Sequence, residues 1–224
     1  MITLKALRPQ FHLEIDGSAT VVQQIGRGRF TTAYRPVTDL PHDLVYLFVR
    51  EEHGDYSKRI LEEAAKGEPP EVRDYLPVLE HLGAREVVNG YPRTSTGELA
   101  VFRTRFYLPL TAKHVRAWRE FKALVAARDE AWREQINWQD RRWMQNGHAV
   151  MDRTIDLLDK RGEVPPALIE ALRAIRDAAG NYGASYVFEF AKRNIGIRGA
   201  GGNLILLDPV FDIETVQRAA SRCK

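Results

Sequence analysis

Residues 24–35 read Gln-Ile-Gly-Arg-Gly-Arg-Phe-Thr-Thr-Ala-Tyr-Arg, a pattern typical of two strands joined by a glycine-rich connection. Apolar and β-branched residues lie on both sides of the glycine pair, Gly26 and Gly28. Glycine lets a backbone approach phosphate oxygens and direct N–H groups at them, which a Cβ would obstruct. Phe30, at the tip of the loop, would shield bound phosphates from water. The alternative interpretation is a plain tight turn.

The composition of the 224-residue chain is that of an ordinary globular protein. It is 44% hydrophobic and 28% charged, which allows a sizeable core in one domain or in two small lobes. The formal net charge is +3, and basic residues are interleaved with acidic ones along the chain. A dedicated nucleic-acid binder concentrates its basic residues in one stripe, so this pattern argues against nucleic acid as a partner.

The location of the protein is indicated by what the sequence lacks. No run of about 18 apolar residues occurs, so we expect no membrane span. The first residues lack the long apolar stretch of a secretory signal. Cys223 is the only cysteine, which excludes an internal disulfide and is typical of a reducing compartment. We therefore expect a cytoplasmic protein.

The first half of the chain predicts a small sheet that carries one helix. The apolar run at 44–49 has the length of a buried strand, and residues 56–66 place Ile60, Leu61 and Ala64 at helical spacing. Further strands are predicted at 19–25, 31–34, 86–91 and 99–107.

The second half predicts mainly helices. Large apolar residues at three-, four- and seven-residue steps predict a helix over 111–136 with a buried stripe of Val115, Trp118, Phe121, Val125, Trp132 and Ile136. A second helix is predicted from 143 to 158 and a third from Pro165 to Gly180. We interpret the four tryptophans as packing residues of this half rather than as a stacking surface.

Two short apolar strands at 195–198 and 204–207 flank a glycine-rich turn and predict a hairpin. Asn194 precedes the first strand and Asp208 follows the second, so the hairpin would bring both side chains to one rim. Mg²⁺ prefers oxygen ligands, often a carboxylate and an amide, and we interpret these two residues as a metal pair. The alternative for Asp208, which precedes Pro209, is turn initiation.

The glycine-rich stretch with Ala33 and Tyr34, then Asn194, then Asp208 resemble in this order the landmarks of the protein-kinase-like superfamily. More narrowly, the chain is similar to the small early protein kinases of short-tailed lytic bacteriophages. In those proteins a G-x-G-x-F-x-x-A-Y loop opens the domain and Asp-Pro-Val replaces Asp-Phe-Gly. The resemblance covers about residues 20–212.

The resemblance implies an α+β fold of two lobes with a nucleotide cleft between them. Residues 1–108 would form an antiparallel sheet with one helix, and residues 109–224 a reduced, mainly helical lobe. ATP and Mg²⁺ would be the cofactors, with Asn194 and Asp208 holding the metal ions.

Glu189 lies five residues before Asn194, which is the spacing of the kinase catalytic loop D-x-x-x-x-N. The resemblance implies that Glu189 and Asp208 are catalytic, with Glu189 accepting the proton of the substrate hydroxyl. Glutamate is about one methylene longer than the aspartate of the motif, and a misplacement of about 1 Å can lower a rate on the order of a hundredfold. The alternative is an ion pair of Glu189 with Lys192 or Arg193.

Arg50 ends a predicted strand where the family has a lysine that grips the α- and β-phosphates. Arginine keeps the charge but is planar and bulkier. Its helix partner would be Glu62 or Glu63, and the sequence leaves that choice open. The backbone near Tyr107 and Leu108, where the lobes would join, would contact an adenine.

We therefore expect an ATP-dependent phosphotransferase that phosphorylates Ser or Thr of proteins, in the host cytoplasm if the chain is phage-encoded. The alternative is a pseudokinase-like protein that docks on a partner protein and regulates it, which the altered residues 50 and 189 favour. A kinase for small molecules such as aminoglycosides would normally have a histidine before the catalytic acid, where this chain has Phe188. Only a short stretch follows Asp208, so we expect no helices that dock protein substrates. The sequence leaves the oligomeric state open.

Overall fold

The computed structural model describes residues 10–15, 18–27, 31–37, 43–50, 55–85, 99–135, 147–182, 186–199 and 202–213. The chain divides into two compact units. Unit 1 comprises Met1–Asp55 and Leu79–Phe106, and unit 2 comprises Tyr56–Val78 and Tyr107–Lys224. The expected boundary at residue 108 lies close to the point where the chain passes from unit 1 to unit 2, between Phe106 and Tyr107. Tyr56–Val78, which was expected in the N-terminal lobe, belongs to unit 2.

Unit 1 is built on a six-stranded sheet in which every strand pairing is antiparallel. The strands are β1 Gln10–Ile15, β2 Ser18–Arg27, β3 Thr31–Pro36, β4 Leu44–Arg50, β5 Leu79–Arg85 and β6 Leu99–Arg105, in the order β1-β2-β3-β4-β6-β5. This confirms the expected α+β class and the N-terminal antiparallel sheet. The predicted strand at 86–91 lies outside the described residues, and β1 and β5 are strands that the sequence reading did not identify.

The core of unit 1 explains why the 44–49 run is apolar throughout. Successive residues of a strand point to opposite faces, and β4 buries both of its faces. Tyr46 and Phe48 join one buried cluster, with Val22, Tyr34 and Val101. Val49 joins the cluster on the other face, with Ala100 and Phe102. An unbroken apolar run is therefore what this central position requires.

Unit 2 combines helices with two small sheets. Its elements are α1 Asp55–Ala64, α2 Pro70–Arg73, β7 Leu108–Pro109, α3 Val115–Gln135, α4 Gly147–Arg161, α5 Pro166–Gly180, β8 Tyr186–Phe188, β9 Ile195–Ile197, β10 Leu204–Leu206 and β11 Val210–Asp212. As predicted from its proline pair, α5 begins at Pro166, where the fixed φ of proline suits a first helical residue. Within the part of the chain that the structure describes, no helix has both the length and the apolar character needed to cross a membrane.

Salt bridges show that α3 and α4, and α4 and α5, are antiparallel neighbours, since residues later in one helix pair with residues earlier in the next. Glu134 and Glu130 of α3 pair with Arg153 and Arg161 of α4, and Asp152 and Asp159 of α4 pair with Arg176 and Arg173 of α5. The leucine and isoleucine residues at the centres of α4 and α5 are buried.

The predicted stripe of α3 is wrong in its rotation about the helix axis. Val115 is 66% exposed and Trp118 only half-buried, while the buried face is made of Ala117, Glu120, Leu124, Ala127 and Ala131. Alanine rather than tryptophan therefore predominates on the buried face of α3. Three of the five buried residues are alanine, which periodicity of large residues could not reveal.

The two small sheets gather the C-terminal strands. β10, β9 and β7 form one sheet in that order, and β8 pairs with β11 in the other. Tyr186, Val187 and Phe188 are all buried, so β8 anchors this region in the core of unit 2.

Candidate functional site

Asn194 and Asp208 are brought together by the antiparallel pair β9–β10, as the sequence predicts. Ile195 lies opposite Leu206 in this ladder, and Asn194 immediately precedes it in a 3₁₀ turn, Lys192–Asn194. The N–H groups of Leu207 and Asp208 both donate to the Asn194 carbonyl, at 2.9 and 3.4 Å. The backbone therefore fixes the two residues side by side at one end of the hairpin.

Glu189 is tied to the same place by the second strand pair. It follows β8, and Val210 of β11 lies opposite Phe188. The Glu189 N–H donates to the carbonyl of Pro209 at 2.8 Å, so its backbone lies beside the residue after Asp208. Two independent strand pairs thus close on one cluster, which we call the acid–amide cluster: Glu189, Asn194 and Asp208.

The Glu189 carboxylate has two partners that follow it by four and five residues in the chain. Asn194 Nδ2 donates to Oε2 at 3.3 Å, and Arg193 Nη2 donates to Oε1 at 2.8 Å. The ion pair with Arg193 that the sequence left as an alternative is present. Because the Arg193 side chain is 74% exposed, this pair contributes little to stability, and it orients the carboxylate beside the amide.

Lys58 is the residue of the site that sequence reasoning missed. It lies on α1 at the edge of the face formed by Ile60, Leu61 and Ala64, and its side chain is only 6% exposed. Its Nζ donates to the carbonyl of Leu207 at 3.0 Å and lies 3.1 Å from Asp208 Oδ1. The only sequence signal is a lysine beside an apolar helix face, a position where most lysines are solvated.

Asp208 Oδ1 is a buried atom whose charged partner is the Lys58 ammonium, 3.1 Å away. The Asp208 side chain as a whole is 44% exposed. Carboxylate and amide oxygens are the ligand types that a hard cation such as Mg²⁺ prefers, and Asp208 and Asn194 carry one of each. In the described ranges no group of three or more His, Cys, Asp or Glu residues suited to a metal occurs, so a cation here would rely on this pair.

Other elements of unit 2 contact the strands and the turn that carry the acid–amide cluster. The carbonyl of Tyr75 accepts the N–H of Leu206, which fixes β10, and burial raises the pKa of the Tyr75 phenol. Lys192 lies over the ring of Trp118 on α3, 5.4 Å from its centre. Gly196 allows the close approach of Tyr107, since a Cβ at 196 would lie 2.7 Å from the Tyr107 Cβ.

The predicted phosphate-binding residues lie in unit 1. Gly26 lies in β2 at an irregularity of the ladder with β3, and a Cβ there would meet only the Ala33 Cβ, at an ordinary 3.8 Å. Packing therefore does not require glycine at 26. Gly28, Phe30 and the side chain of Arg50 lie outside the described residues.

The remaining predicted residues lie in unit 2. Tyr107 accepts the N–H of Val78 with its hydroxyl at 2.8 Å, and Leu108 of β7 lies opposite Ile197 of β9. Glu63 pairs with Lys66 at 2.7 Å. The adenine contact at Tyr107 and Leu108 stays a prediction.

Glu62 of α1 is half-buried and makes interactions of its own. The choice between Glu62 and Glu63 as the partner of Arg50 also stays a prediction, because the arginine side chain is not described.

Comparison of the chain with protein-family models, with curated proteins and with solved structures found no match in any of the three.

Proposed function

We propose that the protein is an ATP-dependent phosphotransferase of the protein-kinase type that acts on Ser or Thr hydroxyls of proteins. The observation that supports this best is the acid–amide cluster. Two separate strand pairs bring together the acid and the amide of the catalytic-loop spacing and the aspartate of the Asp-Pro-Val segment.

In this proposal each residue of the cluster has one role. Asp208 and Asn194 hold Mg²⁺, which neutralises part of the charge of a triphosphate. Glu189 orients the acceptor hydroxyl and takes its proton. Since phosphoryl transfer needs positioning and charge stabilisation more than covalent chemistry, a small preorganised cluster is sufficient.

The glycine loop gives independent support to the proposal. The fold does not need glycine at position 26, because a side chain there would make only an ordinary contact. Close approach of a ligand's phosphates to the backbone is a reason for glycine that packing does not supply.

A second candidate is a pseudokinase-like protein that docks on a partner protein. Two ion pairs within the protein favour it, because Arg193 pairs with Glu189 and Lys58 pairs with Asp208. Carboxylates with such partners are also what a scaffold without catalytic activity would retain.

The test measures thermal stability and phosphate transfer on one set of proteins. The melting temperature is recorded with Mg²⁺-ATP and with Mg²⁺ alone, and γ-labelled ATP is incubated with a cell extract and the wild-type protein. Asp208→Asn is the test variant. Asp159→Asn is the matched control, since Asp159 is an exposed carboxylate on α4 paired with Arg173.

We expect ATP to raise the melting temperature and label to appear on protein in the wild type and in Asp159→Asn, and both effects to be lost in Asp208→Asn. A nucleotide-dependent shift without transfer of label would favour the docking protein. Absence of any shift in the wild type would refute the phosphotransferase.

A further inference from the structure

We propose that Lys58 is a phosphate-binding residue of this site, and that it supplies from α1 the cation that the resemblance places at the end of β4. This inference rests on the proposed function, because it names the group that contacts the phosphates of the same nucleotide.

The Lys58 ammonium is a buried cation with more donors than the two partners it contacts. A lysine ammonium has three hydrogen-bond donors, and one of them reaches the carbonyl of Leu207. Asp208 Oδ1, 3.1 Å from Nζ, is its counter-charge, so the three donors have one carbonyl and one carboxylate partner. An anionic oxygen of a ligand would accept the remaining donor.

A purely structural role does not explain why a lysine occupies position 58. Burial of an ammonium is unfavourable unless it is well paired, and a buried ion pair is weak evidence for a stabilising role. The neighbouring buried positions of α1 are Ile60, Leu61 and Ala64, and an apolar side chain at 58 would extend that face. We therefore interpret Lys58 as a functional residue, although its side chain is buried.

Lys58 lies beside Asp208 in the structure. Nζ of Lys58 lies 3.1 Å from an oxygen of the residue expected to hold the metal. If Asp208 held the metal ion of a bound Mg²⁺-ATP, the Lys58 ammonium would be close to the phosphates of that nucleotide. It would then be available to donate to a phosphate oxygen. Position 50 need not supply the only cation.

The test compares the binding of Mg²⁺-ATP with that of adenosine, by isothermal titration calorimetry. The variants are Lys58→Met and Lys58→Gln. Lys66→Met is the control, since Lys66 follows the same helix, is 65% exposed and pairs with Glu63. Circular dichroism checks that each variant is folded.

We expect both Lys58 variants to bind Mg²⁺-ATP about tenfold more weakly or worse, the loss expected for one charged hydrogen bond, and to bind adenosine as the wild type does. The Lys66 variant should match the wild type for both ligands. Equal weakening for ATP and adenosine, or loss of folding in both Lys58 variants, would show a structural lysine and overturn the inference.

The two proposals fail in different ways. If the wild type binds neither ligand, the proposed function is wrong and the inference falls with it. If the wild type binds Mg²⁺-ATP and the Lys58 variants bind it equally well, only the role of Lys58 is refuted.

Discussion

The ion pair between Lys58 and Asp208 makes a prediction about stability that does not depend on any ligand. At 3.1 Å, with an effective dielectric constant of about 20, the Coulomb attraction is about 5 kcal/mol, and desolvation of the ammonium offsets much of it. The pair is asymmetric, because the lysine side chain is 6% exposed and the aspartate side chain is 44% exposed. Substitution of Asp208 and substitution of Lys58 should therefore lower the free energy of unfolding by different amounts.

Asp208→Asn leaves a buried ammonium without its counter-charge. Breaking a buried pair in this way costs about 3–5 kcal/mol, and we expect the lower end because Asp208 is partly exposed. Lys58→Met leaves a carboxylate that can regain water, so its cost should be within about 1 kcal/mol, mainly the lost donor to the Leu207 carbonyl. In the double variant the aspartate substitution should cost little, which gives a coupling energy of about 2 kcal/mol.

Urea denaturation followed by tryptophan fluorescence measures these free energies of unfolding. The sequence ranges of unit 1 contain no tryptophan, whereas Trp118 and Trp132 of α3 belong to unit 2 with both members of the pair. The signal therefore reports on unit 2 even if the units unfold separately. Equal costs for the two single variants, or costs that add in the double variant within about 0.5 kcal/mol, would refute the reasoning.

Two further predictions concern packing and pH. Gly147→Ala should destabilise unit 2 by about 1–3 kcal/mol or more in the same urea assay, because its Cβ would lie 1.8 Å from the Tyr186 carbonyl oxygen. The control is Gly180→Ala, which should be neutral or stabilising because the nearest atom to its Cβ would be 4.0 Å away. Burial, and less so the Glu120 carboxylate, raises the pKa of Tyr75 from 10.0, so its contribution to stability is present below pH 10.0 and is lost as pH rises through the raised pKa. Tyr75→Phe should lessen this alkaline loss, measured as melting temperature against pH; an unchanged profile would contradict it.

The hairpin that carries Asn194 and Asp208 could be predicted because its information is local. Apolar triplets on both sides of a glycine-rich turn specify an antiparallel pair, and the pair then fixes which residues lie opposite each other. The buried faces of α4 and α5 follow from periodicity in the same way.

Lys58 could not be predicted because its environment is set by residues far away in the chain. A helix pattern records which residues are apolar, and lysine scores as polar whether it is solvated or buried. Only the fold shows that Leu207 and Asp208 lie within reach of its ammonium. The same limit applies to α3, where Glu120 lies on the buried face and Val115 does not.

The charges of the site lead to a requirement for metal in the proposed reaction. Lys58 and Arg193 carry positive charge, and Glu189 and Asp208 carry negative charge, so the four groups balance when no ligand is bound. In the proposed reaction a triphosphate would therefore meet no net positive charge from them, and Mg²⁺ would have to supply it. Nucleotide affinity should then fall steeply when Mg²⁺ is chelated, and the Lys58→Met variant should depend on Mg²⁺ more strongly than the wild type. Equal affinity with and without the metal ion would mean that the cation of α1 already balances the phosphates, and Asp208 would lose its proposed role.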